Sequence, residues 1–452
     1  MQRRERVRIF PTIPTEPRPT LPADAISRST SGSHVPTMIG VKGRFRPLAF
    51  VLPLLVALSA NTAVAATRHP PKTDANNATK GNYGWFEGGL SWRGEFADPY
   101  VLRAGRTFYA YSSGAGGRYL GVLTSHDLES WTIHRHWSTH AAPWMGGPDP
   151  RHDPSIPLPI RQSNQSAGDI WNLNDALVLP AAWGMPVPYS AWERRSYWAT
   201  GVAHIGRHWY AYAGVKISDH FRDGSADPDG FGRYCLTVAS APGPLGPFRD
   251  ITRGRPLYCD VDPAGSIDPS PYVDPATGQT WLTWKASGSR GGSGASGYPS
   301  SLKTVRLDST GHMSGPIITL LTTRQGSWEG NTIENPAMVR WHGRWYLFYS
   351  ANWFGVDRAG HSPYATGYAV CRGPAGPCKR ITASPLMAST ARESGPGGAS
   401  PVLGLGGKLY LAYASYWPGE YRSNAGIHQP RRMHIVTVVR HANGRLSVTG
   451  RP

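Results

Sequence analysis

A pair of aromatic-rich strands joined by a glycine turn recurs five times along the chain, and this repetition limits the fold more than any other feature. The fullest copy is Ile333-Glu334-Asn335-Pro336-Ala337-Met338-Val339-Arg340-Trp341, then His342-Gly343, then Arg344-Trp345-Tyr346-Leu347-Phe348-Tyr349-Ser350. Apolar residues on both sides of a two-residue Gly turn predict a β-hairpin. Pro336 cannot donate to a ladder, so Glu334 belongs at a strand edge or mouth. The other copies fall at 96–112, 197–212, 267–284 and 399–413. Their turn glycines, Gly105, Gly206, Gly278, Gly343 and Gly406, recur at roughly 60 to 100 residues, a period that suits four-stranded propeller blades with long loops. Third strands are expected within 119–125, 234–240 and 367–371. The predicted fold class is therefore all-β, a five-bladed β-propeller over 83–452. The Pro-rich stretch 136–195 is read as a long loop at one rim, and a two-sheet sandwich is the alternative architecture.

Composition agrees with an all-β chain: aromatics make up 11%, with 53 Gly, 41 Pro and no long amphipathic helical pattern. The net charge of +18 is inflated by the first 66 residues, whose nine Lys/Arg and three Asp/Glu leave +12 for the rest. Most of that charge is scattered Arg, so no nucleic-acid partner is expected. Lys42, Arg44 and Arg46 precede an apolar run over 47–58 and then Ala63-Val64-Ala65, the pattern of an export signal. Residues 1–66 are read as an N-terminal extension plus signal peptide, with Met1 or Met38 as the start, and 67–82 as a linker. A secreted or periplasmic chain follows, without a membrane span after cleavage. Four cysteines fit that compartment: Cys371 with Cys378 across a short loop, and Cys235 with Cys259. Free thiols are the alternative, and zinc is disfavoured because no CxxC or paired His spacing accompanies them.

Asp98, Asp268 and Glu334 open the first, third and fourth copies, two followed at once by Pro and the third by Asn-Pro. In a propeller the innermost strands converge on one axis, so acids far apart in sequence meet at its mouth. Gathered carboxyls perturb one another's ionisation, and a pair flanking a glycosidic bond is the minimum for its hydrolysis. A lone Asp-Pro is often only a turn initiator, and Asp262-Pro263 and Asp274-Pro275 are read that way.

Three segments, 96–101, 267–270 and 333–339, resemble glycoside hydrolase family 43. So do 346–350, 395–400 and Asp175-Ala176-Leu177, and the resemblance spans about 85–448. It implies a propeller that hydrolyses arabinose- or xylose-containing polysaccharides with inversion. Asp98 would be the general base, Glu334 the general acid, and Asp268 the residue that orients the acid and raises its pKa. Glu329 competes for the acid role, but the place of Glu334 ahead of Pro336-Ala337-Met338-Val339 matches the family motif. Arg431 falls where the family places a substrate-touching Arg, with adjacent Arg432 as the alternative. Among Trp92, Trp171, Trp198, Trp328 and Trp353, blade packing competes with stacking on sugar; Trp171, Trp198 and Trp353 are the substrate candidates.

Two departures from the family stand out. Thr200-Gly201 replaces a Pro-Asp, and Gly398 replaces a His that the family ties to a central cation or water cluster. Bound calcium is therefore not carried over, and no cofactor is expected. The expected protein is a monomeric glycosidase acting on arabinofuranosyl or xylosyl bonds. A non-catalytic glycan-binding propeller is the alternative, and a fructosidase is disfavoured because Trp171-Asn172-Leu173-Asn174-Asp175 lacks the following Pro.

Overall fold

The computed structural model describes residues 89–90, 96–113, 120–133, 176–185, 197–226, 232–287, 299–357, 359–416 and 431–450. The extension, export signal and linker expected before residue 83 lie outside them.

Among the described residues the chain is all β, with 22 strands in five sheets. A first strand, β1 (Gly89–Leu90), belongs to the last blade. Blade one holds β2 (Tyr100–Ala104), β3 (Thr107–Tyr111), β4 (Val122–Ser125) and β5 (Trp131–Ile133). Blade two holds β6 (Leu177–Leu179), β7 (Tyr197–Ile205), β8 (His208–Ser218), β9 (Arg233–Ala241) and β10 (Phe248–Asp250). Blade three holds β11 (Ser266–Val273), β12 (Thr280–Ala286), β13 (Ser301–Leu307) and β14 (Met313–Thr322). Blade four holds β15 (Ile333–Trp341), β16 (Arg344–Ala351), β17 (Ala365–Cys371) and β18 (Cys378–Arg380). Blade five holds β19 (Ser394–Leu403), β20 (Leu409–Tyr416), β21 (Arg432–Arg440) and β22 (Leu446–Thr449).

Apart from β6, each blade is an antiparallel meander whose first long strand is innermost, and β2, β7, β11, β15 and β19 touch in that cyclic order. The ring is closed by β1, which pairs with β21 at Ile435 and His434 beside the β21–β22 ladder. One apolar cluster fills each of the five blade interfaces. Val101 and Leu123 meet Ala412 and Ile435 between blades one and five, and Phe348 and Tyr368 meet Leu411 and Val436 between four and five. Strands buried on both sides explain the near-continuous apolar runs in sequence: every residue of β12 is buried. The turn after Trp341 uses His342 and Gly343, both at positive φ (47° and 74°), as a two-residue turn of this kind requires.

Three expectations change. Within 136–195 the described residues 176–185 are not plain rim loop: β6 adds to the outer edge of blade two, parallel to β10. In blade five the left-handed turn residue is Gly407 (φ 72°), not Gly406. The strands of blade three beyond its hairpin, β13 and β14, were not anticipated. Both disulfides join the expected partners, Cys235 with Cys259 and Cys371 with Cys378, the latter pair facing each other across β17 and β18.

Phe348 is fully buried at an interface, so Phe348→Ala should lower unfolding free energy by about 3–5 kcal/mol. A denaturant midpoint that does not move would contradict that packing.

Candidate active site

In each blade a residue at the same end of the innermost strand lies in the left-handed region: Asp98 (φ 49°), Ala199 (45°), Asp268 (57°), Asn335 (47°) and Gly398 (64°), with Gly395 (65°) as a second in β19. In β7, β11, β15 and β19 that residue sits within a register break, and in blade one it precedes β2. Such bulges leave residues unpaired and re-aim their side chains, here toward the axis. Asp, Asn and Gly tolerate this backbone better than other residues. The repeat therefore aligns Asp98 and Asp268 with Asn335. Glu334 stands one residue earlier, which corrects the expectation of three acids at equivalent points.

This offset gives each acid different surroundings. Asp98 makes a bidentate ion pair with Arg431, Nη1 to Oδ1 and Nη2 to Oδ2, both at 2.9 Å. Ser113 Oγ donates to Asp98 Oδ2 at 2.8 Å, and Ser113 in turn accepts from the Ala199 amide at 2.7 Å. Asn335 Nδ2 reaches Asp98 Oδ1 at 3.4 Å, the longest of these contacts.

Glu334 accepts from two buried donors, Tyr364 Oη at 2.6 Å on Oε1 and Lys285 Nζ at 2.7 Å on Oε2. Asp268 is buried and accepts from the Asn335 amide at 3.0 Å. Burial, reinforced by the nearby Glu334 charge, pushes the Asp268 carboxyl up to about 7, against a smaller downward pull from Lys285. Of the two carboxyls, Asp268 is thus driven toward its protonated form by burial and by its neighbour's charge. Tyr364 also accepts from Asn335 Nδ2 at 2.9 Å, so one asparagine links the two halves of the site.

Arg431 reaches the centre and also lies over the Phe354 ring, 5.6 Å from its centroid. Arg432, by contrast, is buried within β21. Trp198 is half-buried against Tyr234, with centroids 4.6 Å apart, and Trp353 is half-buried beside Gly355. Trp328 packs on Tyr349 and covers Gly367, so it belongs to blade packing. Trp92, Trp171 and Asp175 lie outside the described residues. Glu329 is fully used elsewhere: Arg380, Tyr349 Oη and the Arg324 amide all donate to it. Asp274 is a turn former, accepting from Ala276 and Thr277.

Reading the sequence missed Lys285, Asn335, Tyr364, Phe354 and Ser113. Only Lys285 left a signal, as a lone cation in an otherwise apolar strand.

The two glycine departures have steric reasons. A Cβ on Gly398 would stand 2.8 Å from Asp98 Oδ1, and one on Gly201 would stand 2.4 Å from Pro271 Cδ. Gly398 therefore offers no side-chain ligand at the axis. Among the described residues no group of three or more His, Cys, Asp or Glu could hold a metal ion. The residues present do not fit a central cation. The space below the acids, lined by Asp98, Asp268, Asn335 and Gly398, is about 20 Å³, room for a water. A larger cavity of about 420 Å³ at the opposite end, lined by Arg103, His204 and Trp209 among others, contains no carboxylate.

Breaking the Glu329 cluster should cost about 3–5 kcal/mol of stability, so Glu329→Gln is expected to lower the melting temperature and spare the activity of the folded fraction. Loss of activity without loss of stability would restore Glu329 as a competitor. Asp268 binds its proton more tightly folded than unfolded. Its stabilising contribution is therefore complete below about pH 4 and lost as pH rises through about 7. Asp268→Asn should flatten that decline in melting temperature, and an unchanged pH dependence would contradict the assigned environment.

The family model described as "Glycosyl hydrolases family 43" matches residues 182–445, a segment that contains Asp268, Glu334 and Arg431 and begins after Asp98. No curated protein sequence matches. Among solved structures, a thermostable family-43 glycoside hydrolase is 21% identical, covers 79% of this chain and 95% of its own, and superposes with a TM-score of 0.52. An endo-1,4-beta-xylanase from Bacteroides thetaiotaomicron is 20% identical, with coverages of 80% and 95% and a TM-score of 0.52. An alpha-L-arabinofuranosidase from Lactobacillus brevis is 14% identical, with coverages of 79% and 94% and a TM-score of 0.53. At these identities the likeness establishes the five-bladed fold.

Proposed function

The chain belongs to glycosyl hydrolase family 43, and on that premise we propose that it is a secreted, inverting glycosidase of arabinofuranosyl or xylosyl bonds in plant-type polysaccharides or oligosaccharides. The observation that carries the reading is the unequal treatment of the acids around one axis. Asp98 is held by a guanidinium, while Asp268 and Glu334 share buried space close enough for the charge of one to raise the other.

Asp98 is the base. Its Oδ1 has one long contact, to Asn335, and a water there can displace that contact and hand over a proton as it attacks. Glu334 is the acid that protonates the leaving oxygen as the glycosidic bond breaks. Asp268 acts by charge: as an anion beside the acid it favours the protonated form of Glu334, which is the form the chemistry needs. Arg431 and Asn335 fix the base relative to the acid, and Phe354, Trp198 and Trp353 supply apolar surface near the sugar.

Both glycine departures are packing requirements of this ring. They are therefore weak support for a propeller that only binds glycans. Two disulfides and the leader-like segment before Thr67 support export.

Asp98→Asn and Glu334→Gln should each lower kcat about 10²–10⁴-fold on aryl α-L-arabinofuranoside or aryl β-D-xyloside, read on the folded fraction because each change leaves Arg431 or Lys285 without its counter-charge. Proton NMR should find the first sugar released with inverted anomeric configuration. Full activity in either variant would remove that residue's role, and a retained anomer would contradict the water-attack geometry.

A further inference from the structure

Glu334 has beside it a cation that proton donation alone does not call for. Lys285 lies inside β12, its side chain is 1% exposed, and its ammonium donates to Glu334 Oε2 at 2.7 Å. An ammonium this deep is costly unless it is paired and hydrogen-bonded. Lys285 stands opposite Ile267, next in sequence to Asp268, and its charge acts on that carboxyl as well. Among the described residues, Glu334 also faces Asp268 from β11, the Tyr364 hydroxyl ahead of β17, and, through Asn335, Asp98 with Arg431. Arg431 already answers the charge of Asp98. Lys285 is thus the cation that answers the Asp268–Glu334 pair.

We propose, on the reading of Glu334 as the general acid, that Lys285 is a positioning residue that holds the acid's carboxyl through Oε2, strengthens it as a proton donor and sets the upper pH limit of turnover. When the proton passes from Glu334 to the glycosidic oxygen and the carbon–oxygen bond breaks, the carboxyl becomes negative beside a fixed ammonium. Attacking water gives its proton to Asp98, and Lys285 neither gains nor loses one. Charge that develops in the transition state is stabilised by a partner already in place. The benefit is largest for sugar leaving groups, which need full protonation, and smallest for a dinitrophenolate, which leaves unaided. A cation also favours the ionised form of its neighbours, so the pair loses its last proton at lower pH with Lys285 than without it.

The test is kcat/KM against pH for Lys285→Met, with a pento-oligosaccharide and with the matching dinitrophenyl pentoside. The alkaline limb should move upward by about one to three pH units. The oligosaccharide should lose at least about tenfold more turnover than the dinitrophenyl substrate. An unmoved limb with equal losses on both substrates would overturn the proposal and leave Lys285 a packing residue. Carbon-13 titration of the carboxyls in the unaltered protein supplies a second readout that needs neither the variant nor turnover. Glu334 should ionise at lower pH than Asp268, and the reverse order would overturn the pairing. If Glu334→Gln retained full turnover, the acid assignment would fail by itself, while the carbon-13 order would still judge Lys285.

Discussion

Three carboxyls converge in one largely buried mouth, and they can do so only because their charges are answered. Asp98 has Arg431, the Asp268–Glu334 pair has Lys285, and the remaining unit of charge is removed by a proton held near neutrality. Uncompensated, three buried carboxylates would oppose folding strongly. With two cations and one proton the cluster is close to neutral, yet it keeps a movable proton on one side and a guanidinium-held carboxylate on the other. That asymmetry is what acid–base cleavage of an acetal requires.

The backbone creates the asymmetry before any side chain does. A left-handed bulge at the same end of each innermost strand turns five positions toward the axis. Substituting Asn335 for an acid at the fourth, with Glu334 one residue earlier, moves the third carboxyl into the pocket of Lys285 and Tyr364. Asn335 then spans the gap, its amide N–H on Asp268 and its side chain on Asp98 and Tyr364. Two of these left-handed positions are tied across a blade boundary by a serine. Ser113 holds Ala199, and Ser350 Oγ accepts from the Gly398 amide at 2.8 Å. The apolar blade interfaces beneath keep that ring closed.

Much of this was legible in the sequence. The hairpins around Gly105, Gly206, Gly278 and Gly343 carry alternation and turn chemistry that are local, so five blades could be counted. Asp98-Pro99 and Asp268-Pro269 marked the strand mouths where the acids gather, but the left-handed bulges there were not legible, because other Asp-Pro pairs such as Asp274-Pro275 only form turns. Short outer strands such as β6 and β10 were not legible, since three residues carry too little pattern. Tyr364 and Ser113 also escaped, because nothing near them in sequence distinguishes a tyrosine or serine that meets an acid from one that packs. Lys285 was the missed clue: a charged residue in a strand such as Trp281-Leu282-Thr283-Trp284 must find a buried counter-charge, and Glu334 is its partner.

Neutron diffraction of the deuterated protein at about pH 6 tests the charge account most directly, since it shows each exchangeable proton. The account predicts one deuteron within the Asp268–Glu334 pair, none on Asp98, and a full ammonium at Lys285. A neutral Lys285, a deuteron on Asp98, or no deuteron on either Asp268 or Glu334 would contradict it.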